Sequence, residues 1–484
     1  MVLSKYCKIF PHRENPDSFI LFSTKKASVV LISKSALEDI ERDNLSSDEK
    51  ETLLKLGFLV QDADAKKHEM LTFFDEMNAI NRKFKAIVVL NLDCNLACKY
   101  CFEGSRKGKF YMTKETADLF IEFVKRKLNL YKSHISENKN LPYPLFAKEG
   151  DQYQNSLNAA HISPALAKIP LKSPPLQKGG EGGFDEIKIT FYGGEPLLSI
   201  ELIIYISERL KSLAEANEIK YSFSLITNGT LLSTDIVKKL KLFGLTSADI
   251  TLDGPKDIHD QFRPFKSGRG SFDTIVRNVK DICGLINIHI GGNFTKENYI
   301  EFPYLLDYLI DNGLTPDRIS SINFNPVIKE SPVFALPEFT GGCVSINEPW
   351  LSDAGIILRE AILKRGFETQ KIMPAACMIE LKHNLVVYYD GSIYKCPGFL
   401  GRKRFCVGDL GNGIRDYKQS YKLDNYKNDE CLNCSYLPLC FGGCRYMKFL
   451  RDGDMNGVDC KKSFFDASLE QLVNQDILQG NSEA

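Results

Sequence analysis

The segment Asp93-Cys94-Asn95-Leu96-Ala97-Cys98-Lys99-Tyr100-Cys101-Phe102 follows closely on the apolar run Ala86-Ile87-Val88-Val89-Leu90. Such a run, rich in β-branched residues, reads as a buried strand, so the CxxxCxxC motif sits on the loop at its end. Three thiolates on one short loop can hold three corners of a four-iron four-sulfur cluster and leave one iron without a protein ligand. An iron left open in this way can take a substrate. Structural zinc requires four closed ligands, and no nearby His or fourth Cys supplies the last one.

Outward from this loop, apolar runs at 187–191, 222–226, 248–252, 286–290 and 319–323 alternate with amphipathic stretches such as 113–130, 200–217 and 234–243. This repetition predicts an α/β fold whose parallel strands close into a partial (β/α)6 TIM-like barrel over 83–330, with function at the C-terminal strand ends. Residues 141–184 break the rhythm. From Leu141-Pro142-Tyr143-Pro144 to Gly182-Gly183-Phe184 they have no apolar period, which predicts an inserted, disordered loop without a functional role.

Residues 1–82 follow a different pattern. Strand-like pieces at 18–22 and 27–32 precede two helices, opened by Ser35/Glu38 and Ser46/Glu49 at capping-box spacing. Gly57 reads as a stop and 58–60 as a returning strand, which together predict a winged-helix-like module.

Composition narrows the function classes. A chain of 484 residues has room for about three domains. Lys+Arg and Asp+Glu both number 62, so no global positive field favours a nucleic-acid partner. The absence of a long apolar window or signal-peptide core leads us to expect a cytoplasmic protein with no membrane partner. In a reducing compartment clustered cysteines are metal ligands or redox groups, and of the 14 here eight lie between Cys377 and Cys460. Their pattern is C-x13-G-x4-C, a gap, C-x2-C-x5-C-x3-C, a gap, and C, with Gly391 as the glycine. Zinc ribbons use similar pairs.

The first motif, with aromatic Tyr100 before its last cysteine, resembles the signature of the radical SAM enzymes, and the likeness runs from about residue 83 to the C-terminus. It implies that Cys94, Cys98 and Cys101 hold the catalytic 4Fe-4S cluster. The open iron would bind S-adenosyl-L-methionine, and one electron from a ferredoxin or flavodoxin type donor would cleave it to a 5′-deoxyadenosyl radical. Gly193-Gly194-Glu195-Pro196 resembles the family's GGEP element: the glycines Gly193 and Gly194 permit close backbone approach, and the Glu195 carboxylate can pair with the methionyl ammonium. Tyr100, Phe102, Asn228 of Thr227-Asn228-Gly229 and Asp253 of Asp253-Gly254-Pro255 match positions around the cofactor or substrate. On the loop that follows, His259, Asp260 and Arg263 are expected in a surface salt bridge, with peptide recognition as the alternative.

The second cysteine pattern resembles the SPASM extension, placed over 373–484 after a bridging segment at 331–372. The resemblance implies two auxiliary 4Fe-4S clusters, three clusters in all. Cys431, Cys434, Cys440 and Cys460 would ligate one, and Cys377, Cys396 and Cys444 the other. Cys343, or less favourably Cys406, is a candidate fourth ligand, against a reading of either as a small buried hydrophobe.

The sulfatase-maturing members of this family carry an Asp base after the cysteine matching Cys396, where this chain has Pro397, a residue with no ionisable group. The amino-terminal module resembles the leader-binding elements of ribosomal-peptide maturases, which add a peptide as a strand to a sheet edge. Within that branch the chain looks most like the geopeptide maturases. The expectation is therefore a radical SAM oxidoreductase that installs a thioether or other side-chain crosslink in a ribosomally made precursor peptide. The alternatives are a sulfatase-maturase type dehydrogenase forming formylglycine, an enzyme building a peptide-derived cofactor, and a zinc-bound scaffold without catalysis.

Overall fold

Alternation of buried and half-exposed residues marks the strands of a central sheet: along Glu186–Tyr192 the side chains of Ile187, Ile189 and Phe191 are buried and those between them are half-exposed. This structure, a computed structural model, describes residues 1–13, 15–61, 63–101, 103–137, 166–168, 184–330, 339, 341–375 and 377–480.

The strands in chain order are β1 Val2–Leu3, β2 Cys7–Pro11, β3 Ser18–Ser23, β4 Val29–Ser33, β5 Leu59–Val60, β6 Lys83–Val89, β7 Leu166–Lys168 and β8 Glu186–Tyr192. They continue as β9 Lys220–Thr227, β10 Leu245–Thr251, β11 Asn287–Phe294, β12 Ser321–Pro326, β13 Asn384–Val387, β14 Ser392–Tyr394, β15 Gly408–Asp409 and β16 Gly413–Ile414. Strands β6, β8, β9, β10, β11 and β12 lie side by side in sequence order, every pair parallel. Each of the six overlaps an apolar run expected from the sequence, which overruns the strand by one or two residues at β6, β10, β11 and β12. Between them run helices Lys114–Glu137, Ile200–Glu215, Thr234–Lys241, Phe272–Ile282 and Phe302–Asp311, whose apolar sides join the strands in one core.

The sheet does not stop at β6. β13 pairs parallel to β6, Val386 opposite Ile87, and leads through β14, β15 and β16 into the cysteine-rich C-terminal region. That region is therefore built onto the edge of the barrel sheet, across the division expected near residue 373.

Near the amino terminus, β2, β3 and β4 form an antiparallel sheet. Helices Lys34–Glu41 and Ser47–Lys55 cover one face of it through Leu21, Val30, Ile32, Ala36, Ile40 and Leu53. The other face packs on the C-terminal region through Ile20, Phe22 and Val29 against Tyr436, Leu439 and Phe465. The Ser46/Glu49 capping box forms as expected. The first helix is capped two residues earlier than expected, by Ser33, whose extended backbone lets its hydroxyl accept from Ala36 N; Ser35 lies inside the helix. The returning strand expected at 58–60 forms as Leu59–Val60 and pairs with β1, outside the β2–β4 sheet.

β7 comes from the stretch expected to be a disordered loop, most of which lies outside the described residues. Two of its parts correct that expectation. Leu166–Lys168 forms an antiparallel ladder with β4, and Phe184 is 3% exposed, edge-on to Phe84 with ring centroids 6.1 Å apart. Among the described residues no helix is long and apolar enough to cross a membrane.

Candidate functional site

The loop after β6 lies over the C-terminal ends of the parallel strands, held there by backbone on both sides. Ala97 N donates to Pro264 O at 2.8 Å, Lys99 N to Phe262 O at 3.0 Å and Lys266 N to Asn95 O at 3.0 Å. On the other side Gly194 N donates to Asn91 O at 3.0 Å and Glu195 N to Asp93 O at 2.7 Å. A Cβ at Gly194 would overlap the Asp93 carbonyl, so the glycine pair is needed to seat the cysteine loop itself.

Cys94 and Cys98 are buried and Cys101 is half-buried, all with free thiols. Burial pushes the Cys94 thiol up to about 11 and raises Cys98 too. Thiols in this state need a bound cation to become thiolates. The surroundings supply two groups that favour them. Asn228 Nδ2 donates to Cys94 Sγ at 3.7 Å, and the Lys107 ammonium, opposed by burial, is held charged by Cys101, Cys98 and Cys94 together. Among the described residues no three His, Cys, Asp or Glu side chains converge as a single metal ion requires. A cubane takes each thiolate on a different iron, so three ligands from one loop fit it without converging.

Glu195 does not have the freedom expected of it. Its side chain is fully buried, Oε1 accepts from Leu197 N at 3.0 Å and Thr227 Oγ1 at 2.8 Å, and Oε2 accepts from Asn228 N at 2.8 Å. Instead of facing an ammonium it ties β8 to the β9 loop and aims Asn228 at the cysteines. A different carboxylate is unspent. Glu103 is 4% exposed, neither oxygen has a hydrogen-bond partner, and burial pushes its carboxyl up to about 7. Its charged neighbours include Lys107, and it lies within electrostatic reach of Tyr192 at the end of β8. An orphaned carboxylate beside the cysteine loop fits a ligand with a cationic ammonium, and sequence reasoning missed it because one Glu after the motif carries no local signal of burial.

Asp253, fully buried, accepts from Tyr100 Oη and from Asn293 N at 2.7 Å, while Arg263 Nη1 donates to Tyr100 Oη at 3.0 Å. Burial raises the Asp253 carboxyl against the pull of Arg263, and Arg263 stands 4.0 Å from it as an ion pair. The expected surface salt bridge is corrected: His259 is fully buried, with Nδ1 accepting from Asp253 N at 3.1 Å and Nε2 3.0 Å from Ser271 Oγ. Burial, reinforced by Arg263, holds this imidazole neutral. Asp260 accepts from Phe272 N at 2.8 Å. Asp253 and Arg263 thus brace Tyr100 within the cysteine loop. Phe102 lies outside the described residues.

The C-terminal cysteines fall into two neighbourhoods. Cys377, Cys396 and Cys444 lie within electrostatic reach of one another; in the other neighbourhood Cys431 is in reach of Cys434, Cys440 and Cys460, and Cys440 of Cys434. The β13–β14 hairpin, turned at Gly391 with φ +87°, presents Cys396. Gly443, with φ +76°, lies so close to the Asp459 carbonyl that a Cβ would overlap it, which draws the Cys440–Cys444 run against the residue before Cys460. Between the neighbourhoods Arg445, 1% exposed, donates to Glu380 and, at 3.1 Å, to Asn425 Oδ1. Cys343 is 1% exposed and packs with Phe294, Leu351 and Met447, with Cys444 against the same cluster. Cys406 is half-buried and donates to Gly408 O at 3.1 Å, and like Cys396 it lies within electrostatic reach of Tyr421. Pro397 begins a short 3-10 turn, and the next residue, Gly398, rests on the Tyr446 ring, whose hydroxyl donates to Glu330.

Comparison with known proteins agrees with this geometry. Residues 181–309 match the Radical SAM superfamily. The chain is 27% identical over 346 residues to the cysteine-type anaerobic sulfatase-maturating enzyme of Clostridium novyi (strain NT), covering 64% of this chain and 87% of that protein. It is 23% identical over 399 residues to the radical SAM cyclopropyl synthase TigE of Paramaledivibacter caminithermalis, covering 76% and 70%. Among solved structures, native anSMEcpe with bound AdoMet and Kp18Cys peptide superposes with a TM-score of 0.54 at 17% identity, covering 82% of this chain and 99% of that one.

Proposed function

Because this chain carries a radical SAM domain, we propose that it is a maturase that abstracts a hydrogen from a ribosomally made precursor peptide and directs a thioether or other side-chain crosslink. When bound, a 4Fe-4S cluster and S-adenosyl-L-methionine would supply the 5′-deoxyadenosyl radical for that step. Cys94, Cys98 and Cys101 would hold the cluster, with Asn228 and Lys107 supporting the thiolates. Glu103 would meet the ammonium of the cofactor, and the Asp253–Tyr100–Arg263 network would keep the loop rigid while water is excluded. The two C-terminal cysteine sets would hold auxiliary clusters, with Cys343 as a further ligand to the Cys377, Cys396 and Cys444 set, and take up the electron left after bond formation.

The observation that carries this reading is the seating of the amino-terminal module. Thr24 Oγ1 donates to Ser435 O at 2.7 Å and Lys5 Nζ to Leu432 O at 2.6 Å, so the module rests on the Cys431–Cys440 run. A peptide gripped there is tethered beside the cysteine centres at high effective concentration. Pro397 after Cys396 gives the crosslinking reading further support, since that position lacks a proton acceptor. The second reading, a sulfatase-maturase type dehydrogenase, is favoured by the similarity to the Clostridium novyi enzyme.

Anaerobic incubation with the short peptide encoded beside the gene separates the two. Loss of two hydrogens with an internal crosslink in tandem mass spectra, alongside 5′-deoxyadenosine, supports the first. A formylglycine residue without a crosslink supports the second. A Cys98→Ala protein that still formed 5′-deoxyadenosine at the normal rate would sink both.

A further inference from the structure

The parallel strands turn their buried apolar residues to the helices, so the residues between them line the inner face of the partial barrel. Strand register puts four of these in one row: Asn384 of β13 opposite Lys85 of β6, Lys85 opposite Lys188 of β8, and Lys188 opposite Ser222 of β9. Like charges directly opposite each other are destabilising unless an anion lies between them. Among the described residues neither ammonium has a hydrogen-bond or ion-pair partner. The row below differs: Lys83 pairs with Glu186 at 3.0 Å, and Ser222 Oγ donates to the same carboxylate at 3.5 Å. Lys85 is held below the ordinary lysine value by burial, then by Lys188 and Lys83. Beyond Glu186, already spent on Lys83, the acid in electrostatic reach is Asp249 of β10, which lies opposite His289 and is pulled by it as well as by Lys188. Asn384 Oδ1 is buried without a partner, and the same amide turned over presents N–H groups in its place.

We propose that Lys85 and Lys188, with Ser222 and Asn384 beside them, form an anion subsite inside the barrel that takes a carboxylate of the peptide being modified. That carboxylate is the peptide's C-terminus or an acidic side chain, since both offer the same group. The peptide as its source rests on the maturase reading; the anion subsite itself does not. Two cations here face one uncommitted acid, so an entering carboxylate gains charge-assisted hydrogen bonds and relieves the lysine repulsion. The row also sets a length. Lys188 precedes Tyr192 by four residues on β8, and Tyr192 lies within electrostatic reach of Cys101 and Glu103 at the strand ends. At about 3.3 Å per residue the row lies roughly 13 Å below the cysteine loop. A carboxylate held there is separated by about four extended residues from the position under that loop, so the subsite selects which residue of the peptide reacts.

The test uses the full chain with isotope-labelled dimethyl groups on its lysines, a change that keeps their charge. The NMR signals of Lys85 and Lys188 are assigned by their loss in Lys85→Gln and Lys188→Gln proteins, or in Lys85→Arg and Lys188→Arg should the glutamine variants fail to fold. The probe is acetyl-tetraglycine, as free acid and as amide. The acid should shift both signals saturably, at concentrations at least about tenfold below those that move the other lysines, and the amide should move neither. No shift, an equal response to acid and amide, or a response shared by all lysines overturns the subsite. A second arm fixes the source of the carboxylate. The fluorescein-labelled peptide encoded beside the gene is titrated by anisotropy as free acid, as C-terminal amide, and with its Asp and Glu replaced by Asn and Gln. One of these changes should weaken binding about tenfold to the natural chain and have no effect on the Lys85→Gln/Lys188→Gln chain. Binding that no change weakens, or that is weakened equally in both chains, overturns the peptide as occupant. A peptide that binds neither chain counts against the maturase reading, while the first arm, which contains neither peptide substrate nor S-adenosyl-L-methionine, still decides the subsite.

Discussion

Asn228 Nδ2 lies 3.7 Å from the Sγ of Cys94, a residue 134 positions earlier in the chain, and the backbone N–H of the same Asn228 is held at 2.8 Å by Glu195. This relay turns the carboxylate of the GGEP run into a positioning group for a hydrogen bond to sulfur. Hydrogen bonds to ligating sulfurs raise cluster reduction potentials. Asn228→Ala should therefore lower the midpoint potential of the reconstituted protein in an EPR-monitored redox titration, with its iron content unchanged. Glu195→Ala should in addition destabilise the fold, since it strands two buried N–H groups and a hydroxyl at about 1–3 kcal/mol each.

Glu103→Gln keeps shape and removes charge. If this carboxylate meets the cofactor ammonium, equilibrium dialysis should show affinity for S-adenosyl-L-methionine weakened by about tenfold or more, the equivalent of a charge-assisted hydrogen bond. Iron content should not change. Unaltered affinity would return the role to another group.

Arg445 and Glu380 form a buried pair, 1% and 5% exposed. Breaking it with Arg445→Met leaves a carboxylate in the interior beside Cys377, and such losses cost about 3–5 kcal/mol. The melting temperature should fall, and so should the iron taken up on reconstitution if the C-terminal cysteines hold clusters as proposed. The double replacement Arg445→Met with Glu380→Met should recover stability relative to the single variant, because no lone charge remains.

His383 is 7% exposed, and burial pushes its imidazole down to about 4, with Lys382, Lys127 and Lys395 adding to the effect. The unfolded chain takes up this proton near the ordinary histidine value of about 6.5, whereas the folded chain resists until about pH 4. Between those values the unfolded state binds more protons, so stability falls as pH is lowered through the window, by up to about 3 kcal/mol. Chemical denaturation at stepped pH should show a flatter dependence in His383→Gln than in the natural chain.

Much of the barrel is readable from local pattern. The six apolar runs become six neighbouring parallel strands because strand periodicity and crossover handedness act over some tens of residues. The Ser46/Glu49 cap is equally local, and it forms. What the pattern misses is burial and long-range occupancy. His259, Asp260 and Arg263 look like solvated charges in a sequence, yet the fold buries His259 and Arg263, half-buries Asp260 and turns Arg263 onto Tyr100. Glu195 and Glu103 are both single glutamates near glycines or cysteines, and nothing in their neighbours along the chain tells which one is consumed by backbone donors.

The sequence by itself determined which chemistry the chain can hold, because thiols spaced on one loop stay together however the rest folds, and because alternating strands and helices admit few topologies. Only the tertiary structure decided which carboxylate is free, that β13 fuses the C-terminal cysteines to the barrel edge, and that β7 lies on β4. Those outcomes depend on contacts between distant segments, 32 residues apart for Glu195 and Thr227 and far more for β13 on β6, whose cost in chain entropy is met by burial and backbone pairing that no local window contains.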